Sequence, residues 1–275
     1  MSGQEQYQLD GSAPELYERY LVPAVTAVWA ADLIERAGLQ AGQQVLDAAC
    51  GSGIVARLAA AQVGGTGRVA GLDINAGMLE MARSLEDGTS SSIAWHHANV
   101  VAMPFPDAAF DVVLCQLGLQ FFTDRPTALR EMHRVLVSDG RLALNVYSPI
   151  ERNPAACALA DGLDRHLAPT ASVAKRAEHA LDDPETVRSL VAGAGFRDLE
   201  IHTVTKVVRF PSPREWLRIQ LAATPLATVV GELEAGQRTA LLEALVRDVG
   251  RALEPYVDER GLGFPQECHV VLARS

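Results

Sequence analysis

The chain has few cysteines, little positive charge and no long apolar run. Its four cysteines, Cys50, Cys115, Cys157 and Cys268, are scattered without a C-x-x-C pair. That spacing writes neither a disulfide framework nor a thiolate metal site, and reduced, mostly buried thiols are expected. Twenty-four Lys and Arg stand against 34 Asp and Glu, a formal charge of −10, with no dense basic cluster. Nucleic acid, whose binding rests on counterion release by Lys and Arg, is not an expected partner. The stretch 219–230 is apolar but holds Pro225 and is too short to cross a bilayer. The opening Met1-Ser2-Gly3-Gln4-Glu5-Gln6 is polar and lacks a signal-peptide pattern. A soluble, cytoplasmic protein without a membrane partner is expected. No histidine or acid cluster has metal-ligand spacing, and Asp182-Asp183 reads as a helix cap, so a metal-independent protein is expected. Internal repeats, low-complexity tracts and clear linkers are also missing.

What is present is a large core, 48% hydrophobic over 275 residues, enough for one large domain or for one domain with an elaborated cap. Its most informative run is Val45-Leu46-Asp47-Ala48-Ala49-Cys50-Gly51-Ser52-Gly53-Ile54. A short apolar strand ends in an acid, a glycine-rich turn follows, and an alanine-rich helix begins near Ile54. A second apolar run, Val69-Ala70-Gly71-Leu72, ends in Asp73. This predicts one β-α-β unit with a carboxylate at the tip of each strand and bare backbone between them. Such a site suits a ligand with a ribose and a positively charged or amine-bearing arm, which points to S-adenosylmethionine and methyl transfer. The competing ligand is a dinucleotide: Gly51-x-Gly53-x-x-Ala56 fits G-x-G-x-x-G/A, and Asp73 sits where a ribose-binding acid should. Against it stand Asp47, whose charge a pyrophosphate would feel, some forty residues ahead of the first strand, and two strand-like segments near the C-terminal end.

Along the chain, 1–13 reads as irregular and 14–37 as helix in two pieces joined at Pro23. Strands are expected at 44–48, 68–72, 93–98, 110–116 and 141–147. Helices are expected at 54–62, from Asn75 as cap to 85, and at 125–137, with Asp139-Gly140 turning into the fifth strand. Gly88 to Ser92 reads as a polar loop, and Met103-Pro104-Phe105-Pro106 as another. The repeated β-α order means a parallel sheet with helices on both faces. Beyond Pro149 the pattern changes to helices at 153–166 and 172–181. Asp183-Pro184 then starts a helix that ends at Ala194-Gly195. A long strand is expected at 196–210, helix at 213–256 interrupted by Pro225 and Gly236, and a last strand at 263–273.

These motifs resemble the class I S-adenosylmethionine-dependent methyltransferases, in the branch similar to the ubiquinone/menaquinone C-methyltransferases and many natural-product methyltransferases. The resemblance rests on Val45 to Gly53 and Val69 to Asp73. It is supported by Asn99-Val100-Val101-Ala102-Met103-Pro104-Phe105 followed by Phe110-Asp111-Val112-Val113, and by Leu129-Arg130-Glu131-Met132-His133-Arg134-Val135-Leu136. It covers most of 14–210 and the final strand. It implies an α/β fold: a seven-stranded, mostly parallel Rossmann-like sheet whose last strand is antiparallel. It also implies a single domain, with an N-terminal helical segment 1–42, a core of 43–148, 182–210 and 263–275, and helical cap insertions at 149–181 and 212–256. The second insertion would lie over the site; a packing element or a homodimer contact is its alternative reading.

By this resemblance the cofactor-binding loop maps onto Asp47, Ala49, Cys50, Gly51, Ser52 and Gly53. Ala49 stands where glycine is usual, and Cys50 would contribute backbone only. Asp47 would face the ammonium side of the cofactor, directly or through water, and Asp73 would accept both ribose hydroxyls. Ile74 and Met78 would sandwich the adenine, or else are plain core. Asn99, where many relatives have Asp, and the amide of Val100 would meet the adenine edge. Gln116, at the tip of the fourth strand, would contact the methionine side, and Tyr20 would place a hydroxyl near the cofactor carboxylate. His166, His179 and Tyr147 are weak candidates for a catalytic or substrate contact, whereas His133 reads as scaffold. Leu217, Leu221, Leu241 and Leu245 are lining or core. The reaction expected is in-line, metal-independent methyl transfer to a small organic acceptor. A nicotinamide-dependent oxidoreductase and a non-catalytic S-adenosylmethionine-binding module are the alternatives.

Overall fold

The computed structural model describes residues 12–86, 93–224, 226–231 and 233–275. The expected loop at Gly88 to Ser92, the break at Pro225 and the stretch 1–11 lie outside the described residues. Eight strands occur among those described: β1 (Gln44–Ala48), β2 (Arg68–Asp73), β3 (Ile93–His97), β4 (Phe110–Gln116), β5 (Leu136–Tyr147), β6 (Arg197–Phe210), β7 (Val257–Asp258) and β8 (Gly261–Arg274). They form one sheet in the order β3-β2-β1-β4-β5-β8-β6, with β7 paired to β8. The seven on this path are the expected strands; the eighth, β7, is a two-residue addition. β1 to β5 pair in parallel, and β8 runs antiparallel to β5.

The chain divides into two compact units. The first, an α/β unit, holds Thr26–Ser148, Leu181–Val204 and Cys268–Ser275. Its centre is β4, where Val112, Val113, Leu114 and Cys115 are fully buried, as a strand covered on both faces requires. The helix Ile54–Val63 buries Val55, Ala56, Ala59 and Ala60, and Arg125–Val135 buries Ala128, Leu129, Met132 and Val135. Both are stripes at helical spacing. Caps match the sequence: Asn75 accepts from the Met78 amide at 3.2 Å, and Asp183 accepts from Glu185 and Thr186. The strand order reverses direction between β1 and β4, the switch point at which open α/β sheets bind ligands beyond the carboxyl ends of their strands.

Two boundaries differ from expectation, one in this unit and one at the start of the chain. The helix ending at Val135 gives way directly to β5 at Leu136, instead of running to 137 and turning at Asp139-Gly140. Leu136 is buried and pairs with Phe110, and the register then shifts so that Val112 pairs with Arg141. The turn residues thus form an irregularity within the strand, with Asp139 at φ 61. At the start of the chain, Ser12 caps Ala13–Leu16 through a capping box, a π-helical stretch Tyr17–Thr26 follows, and Ala27–Ala37 is α-helical. Pro23 sits inside the π-helical stretch rather than at a joint; it has no N–H to donate, and the wider winding carries the chain past it.

The second unit holds Met1–Val25, Pro149–Ala180 and Thr205–Glu267. Its long helices Pro154–His166 and Ala235–Leu253 approach closely at Gly162, where a Cβ would lie 2.8 Å from Leu245 Cδ2. Leu217, Leu221, Leu241 and Leu245 are all buried, as core. Phe264 stacks on Phe210 at 6.1 Å and meets Trp216 edge-on at 5.8 Å. The expected helix at 172–181 is only Val173–Ala177. Nor does Gly236 interrupt anything: it is the second residue of a helix capped by Glu234 and Gln237.

Candidate functional site

The run after β1 folds tightly because three of its residues are left-handed: Ala49 at φ 59, Gly51 at φ 54 and Gly53 at φ 86. The two glycines serve different ends. A Cβ on Gly51 would meet nothing within 4 Å, so its backbone borders open space. A Cβ on Gly53 would lie 2.3 Å from Cη2 of Trp95, so this glycine makes room for an indole. Ala49, the departure from glycine, keeps the left-handed turn at a cost of about 1–2 kcal/mol.

Two acids fix this loop. Asp73 at the tip of β2 accepts the Gly51 amide on Oδ2 and the Asn75 amide on Oδ1, both at 2.8 Å. Each oxygen keeps a further lone pair for another donor. Asp47 is fully buried, and its Oδ2 accepts the Ala56 amide at 2.9 Å, in the first turn of the following helix. Its Oδ1 is buried without a hydrogen-bond partner. Burial pushes the Asp47 carboxyl up to about 7, against the pull of the Ala56 hydrogen bond. Cys50 donates its amide to Leu72 O at 3.0 Å, and burial pushes its thiol far above the ordinary range, so it is not a thiolate nucleophile. Ser52 is buried, with its Oγ unpartnered and its carbonyl taken by Arg57 at 2.6 Å.

Around these lie the other strand tips. Ile74, next to Asp73, is 65% exposed, an unusual place for a bare isoleucine, and Met78 is half-buried on the helix beyond it. Asn99 is exposed and its Oδ1 accepts the Val101 amide at 3.1 Å, while Val100 is buried. Gln116 donates Nε2 to Thr26 O at 2.9 Å and leaves Oε1 buried and unpartnered. The structure therefore gathers Asp47, Ala49 to Gly53, Asp73, Ile74, Met78, Asn99, Val100 and Gln116 at one edge of the α/β unit. Tyr147 ends β5 in the same unit. Tyr20, His166 and His179 belong to the second unit. There Arg19 lies over the Tyr20 ring at 5.2 Å, His166 and Arg165 share Asp248 at 2.7 Å, and His179 is buried.

Asn145 and Trp95 escaped the sequence reading. Asn145, the register partner of Gln116, is fully buried; its Oδ1 accepts the Leu117 amide at 2.9 Å and its Nδ2 has no partner. A lone amide inside Leu142-Ala143-Leu144-Asn145-Val146 was the available signal. His97, paired with Asp73, bonds Ile74 O through Nε2 at 2.9 Å. Trp95 pairs with Gly71, and its ring lies where a Cβ on Gly71 would stand. The helix motif around His133 is a brace: Arg134 binds Glu131, Asp107 and the carbonyls of Phe105 and Met103, holding the loop that follows Asn99. His133 packs edge-on against Phe196 at 5.0 Å.

A mostly parallel sheet with an antiparallel strand beside β5, and a strand-tip acid on either side of a glycine loop, defines a Rossmann-like methyltransferase fold of class I. A family model described as the ubiE/COQ5 methyltransferase family matches residues 22–169, more than half of the chain, and the chain belongs to that family. It is by family an S-adenosylmethionine-dependent methyltransferase acting on a small molecule. It is 42% identical over 123 residues to a ubiquinone/menaquinone biosynthesis C-methyltransferase of Hahella chejuensis, covering 44% of this chain and 49% of that one. A protein of the same description from Klebsiella pneumoniae is 34% identical over 191 residues, covering 65% of this chain and 76% of that one. Among solved structures, the YcgJ protein from Bacillus subtilis superposes with a TM-score of 0.60 at 18% identity, over 90% of this chain and 97% of that one. A Haemonchus contortus phosphoethanolamine N-methyltransferase in complex with S-adenosyl-L-methionine gives 0.55 at 17%, over 90% and 52%. These matches do not favour an oxidoreductase or a non-catalytic binding module. Among the described residues no helix is long and apolar enough to cross a membrane, and no group of three or more His, Cys, Asp or Glu is placed to hold a metal ion.

Proposed function

We propose that the chain transfers the methyl group of S-adenosylmethionine to a ring carbon of a small, fairly hydrophobic quinol-type acceptor, by in-line displacement and without a metal. The carrying observation is Asp73, whose two oxygens are oriented by backbone amides beside open space at Gly51 and an exposed Ile74. The residues fit the cofactor. A carboxylate with spare lone pairs suits two ribose hydroxyls. The exposed Ile74 and half-buried Met78 suit the adenine faces. Asn99 and the Val100 amide suit the adenine edge. The unpartnered Asp47 Oδ1 and Gln116 Oε1 are acceptors suited to an ammonium group, and Ala49, Cys50, Gly51, Ser52 and Gly53 offer backbone at close range.

S-adenosylmethionine supplies an activated methyl on a sulfonium. What these residues contribute is alignment, by fixing the ribose and the amino-acid arm at separate strand tips. A quinol carbon attacks well once its hydroxyl proton is drawn off, so a proton acceptor near the acceptor ring is required. Tyr147, at the carboxyl end of β5, is the candidate for acceptor contact. The quinol reading is supported by the names of the Hahella and Klebsiella relatives. Methyl-labelled S-adenosylmethionine should pass its label to a demethylated quinol in excess EDTA. Calorimetric titration should show S-adenosylmethionine and S-adenosylhomocysteine binding and NADH not binding. Label confined to oxygen or nitrogen acceptors, or binding of NADH alone, would overturn the proposal.

A further inference from the structure

We infer that Trp95 is a positioning residue for the cofactor loop: its indole, lodged between Gly71 and Gly53, sets where the loop backbone stands. This rests on the cofactor site proposed above. Trp95 lies on β3 directly opposite Gly71 of β2. Its six-membered ring reaches across β2, with Cζ3 2.4 Å from the place a Gly71 Cβ would occupy and Cη2 2.3 Å from that of a Gly53 Cβ. Both distances are below any real Cβ contact, so the ring fills the space that two missing side chains leave. The indole is held from the other end. Its Nε1 donates to Glu86, just beyond the helix Ala76–Ser84, and Arg83 donates to the Trp95 carbonyl at 3.5 Å.

The consequence runs through the loop. The Gly53 amide donates to Cys50 O at 2.9 Å, and the Gly53 carbonyl accepts the Arg57 amide at 2.9 Å. Gly53 thus closes the turn and opens the helix at once. A ring pressed on Gly53 fixes the turn from Cys50 to Gly53, and with it the Gly51 amide that Asp73 holds. An ordinary core aromatic packs on side chains and tolerates small repacking. This one packs on backbone at two glycines, one of which belongs to the loop, so its loss is transmitted to the backbone that faces the ligand.

The test uses S-adenosylhomocysteine as probe on the full chain. Trp95→Val should keep the native circular dichroism and weaken calorimetric binding at least tenfold, and Trp95→Phe should recover most of the affinity. Indole emission of the wild type should change on titration with the calorimetric Kd, and that change should vanish in Trp95→Phe, where Trp29 and Trp216 remain. Gly71→Ala, which crowds the ring, should weaken binding, and Gly71→Ala with Trp95→Val should bind more tightly than Gly71→Ala alone. A folded Trp95→Val that binds as wild type overturns the inference. So does an emission change unaltered in Trp95→Phe, the deciding result should Trp95→Val not fold. Asp73→Ala separates the two levels: if it binds normally, the cofactor site itself is misassigned, whereas if it alone loses binding, only the role of Trp95 fails.

Discussion

The Gly51 amide donates to Asp73 Oδ2 at 2.8 Å, so the acid at the end of β2 holds the loop at the end of β1. The other oxygen holds the Asn75 amide at the same distance. One carboxylate therefore shapes the loop and faces the ligand. Asp73→Ala should weaken S-adenosylmethionine binding by about 1.5–3 kcal/mol, the range for hydrogen bonds to a charged group. It should also lower Tm, because two backbone donors lose their acceptor. Asp73→Asn keeps one acceptor oxygen and should lose less stability than affinity. Calorimetry and thermal unfolding of both variants check this; unchanged affinity in folded Asp73→Ala would contradict it.

Asp47 carries a pH dependence of known sign. Its carboxyl rises from an ordinary 3.8 to about 7 on burial. The folded chain holds this proton more tightly than the unfolded chain, so the stability due to the neutral carboxyl is fully present below about pH 4 and is lost as pH rises through about 7. Asp47→Asn keeps an acceptor for the Ala56 amide and cannot ionise. Its stability should therefore fall less than that of wild type between about pH 5.5 and pH 8 in denaturant titrations. A cationic arm near Oδ1 would draw the proton off, so binding of S-adenosylmethionine near neutral pH should release protons. Calorimetry in two buffers of different ionisation enthalpy should show that release in wild type and a smaller one in Asp47→Asn.

Gly51 and Gly53 should fail differently. Gly51→Ala places its methyl in open space, and its left-handed backbone costs about 1–2 kcal/mol. The variant should fold and lose affinity, because the methyl stands where the ligand approaches. Gly53→Ala meets the same backbone strain and drives a methyl into the Trp95 ring. It should lose stability by a further about 1–3 kcal/mol, the cost of overpacking. Thermal unfolding and calorimetry together distinguish the two; equal effects on both measurements would mean that the glycines do one job.

The strand-tip residues were legible because each sits at a boundary between two periodicities. Asp47 and Asp73 close apolar runs of strand type, and the glycines precede a helical stripe, so fold and loop could be read without coordinates. What the sequence hid depended on partners distant in the chain. Trp95 looks like any strand aromatic until register sets it against Gly71. Asn145 looks like a stray polar residue until it meets Leu117. The end of the helix at Val135 was misplaced because Leu136 and Val137 continue its apolar pattern, and only the pairing of Leu136 with Phe110 turns them into strand. The two histidines singled out in the helical segments lie in the second unit, where His166 is engaged with Asp248 and His179 is buried.

Ala49 offers the mildest test of the loop. It is the non-glycine in a turn with left-handed backbone, at φ 59, and a Cβ built on Gly118 would lie 3.0 Å from its methyl. The methyl thus occupies the space that Gly118 leaves. Glycine here relieves the left-handed penalty of about 1–2 kcal/mol and adds back about 0.5–1 kcal/mol of unfolded-state entropy. It also forfeits the contact with Gly118. Ala49→Gly should therefore change stability by less than about 1 kcal/mol. Since the turn keeps its shape and the Gly51 amide its acceptor, affinity for S-adenosylmethionine should stay within about threefold of wild type. A tenfold loss would show that the methyl itself touches the cofactor. Ala49→Val then separates contact from crowding: a β-branched side chain at positive φ should destabilise the loop by more than the alanine does, and thermal unfolding would record that loss before any ligand is added.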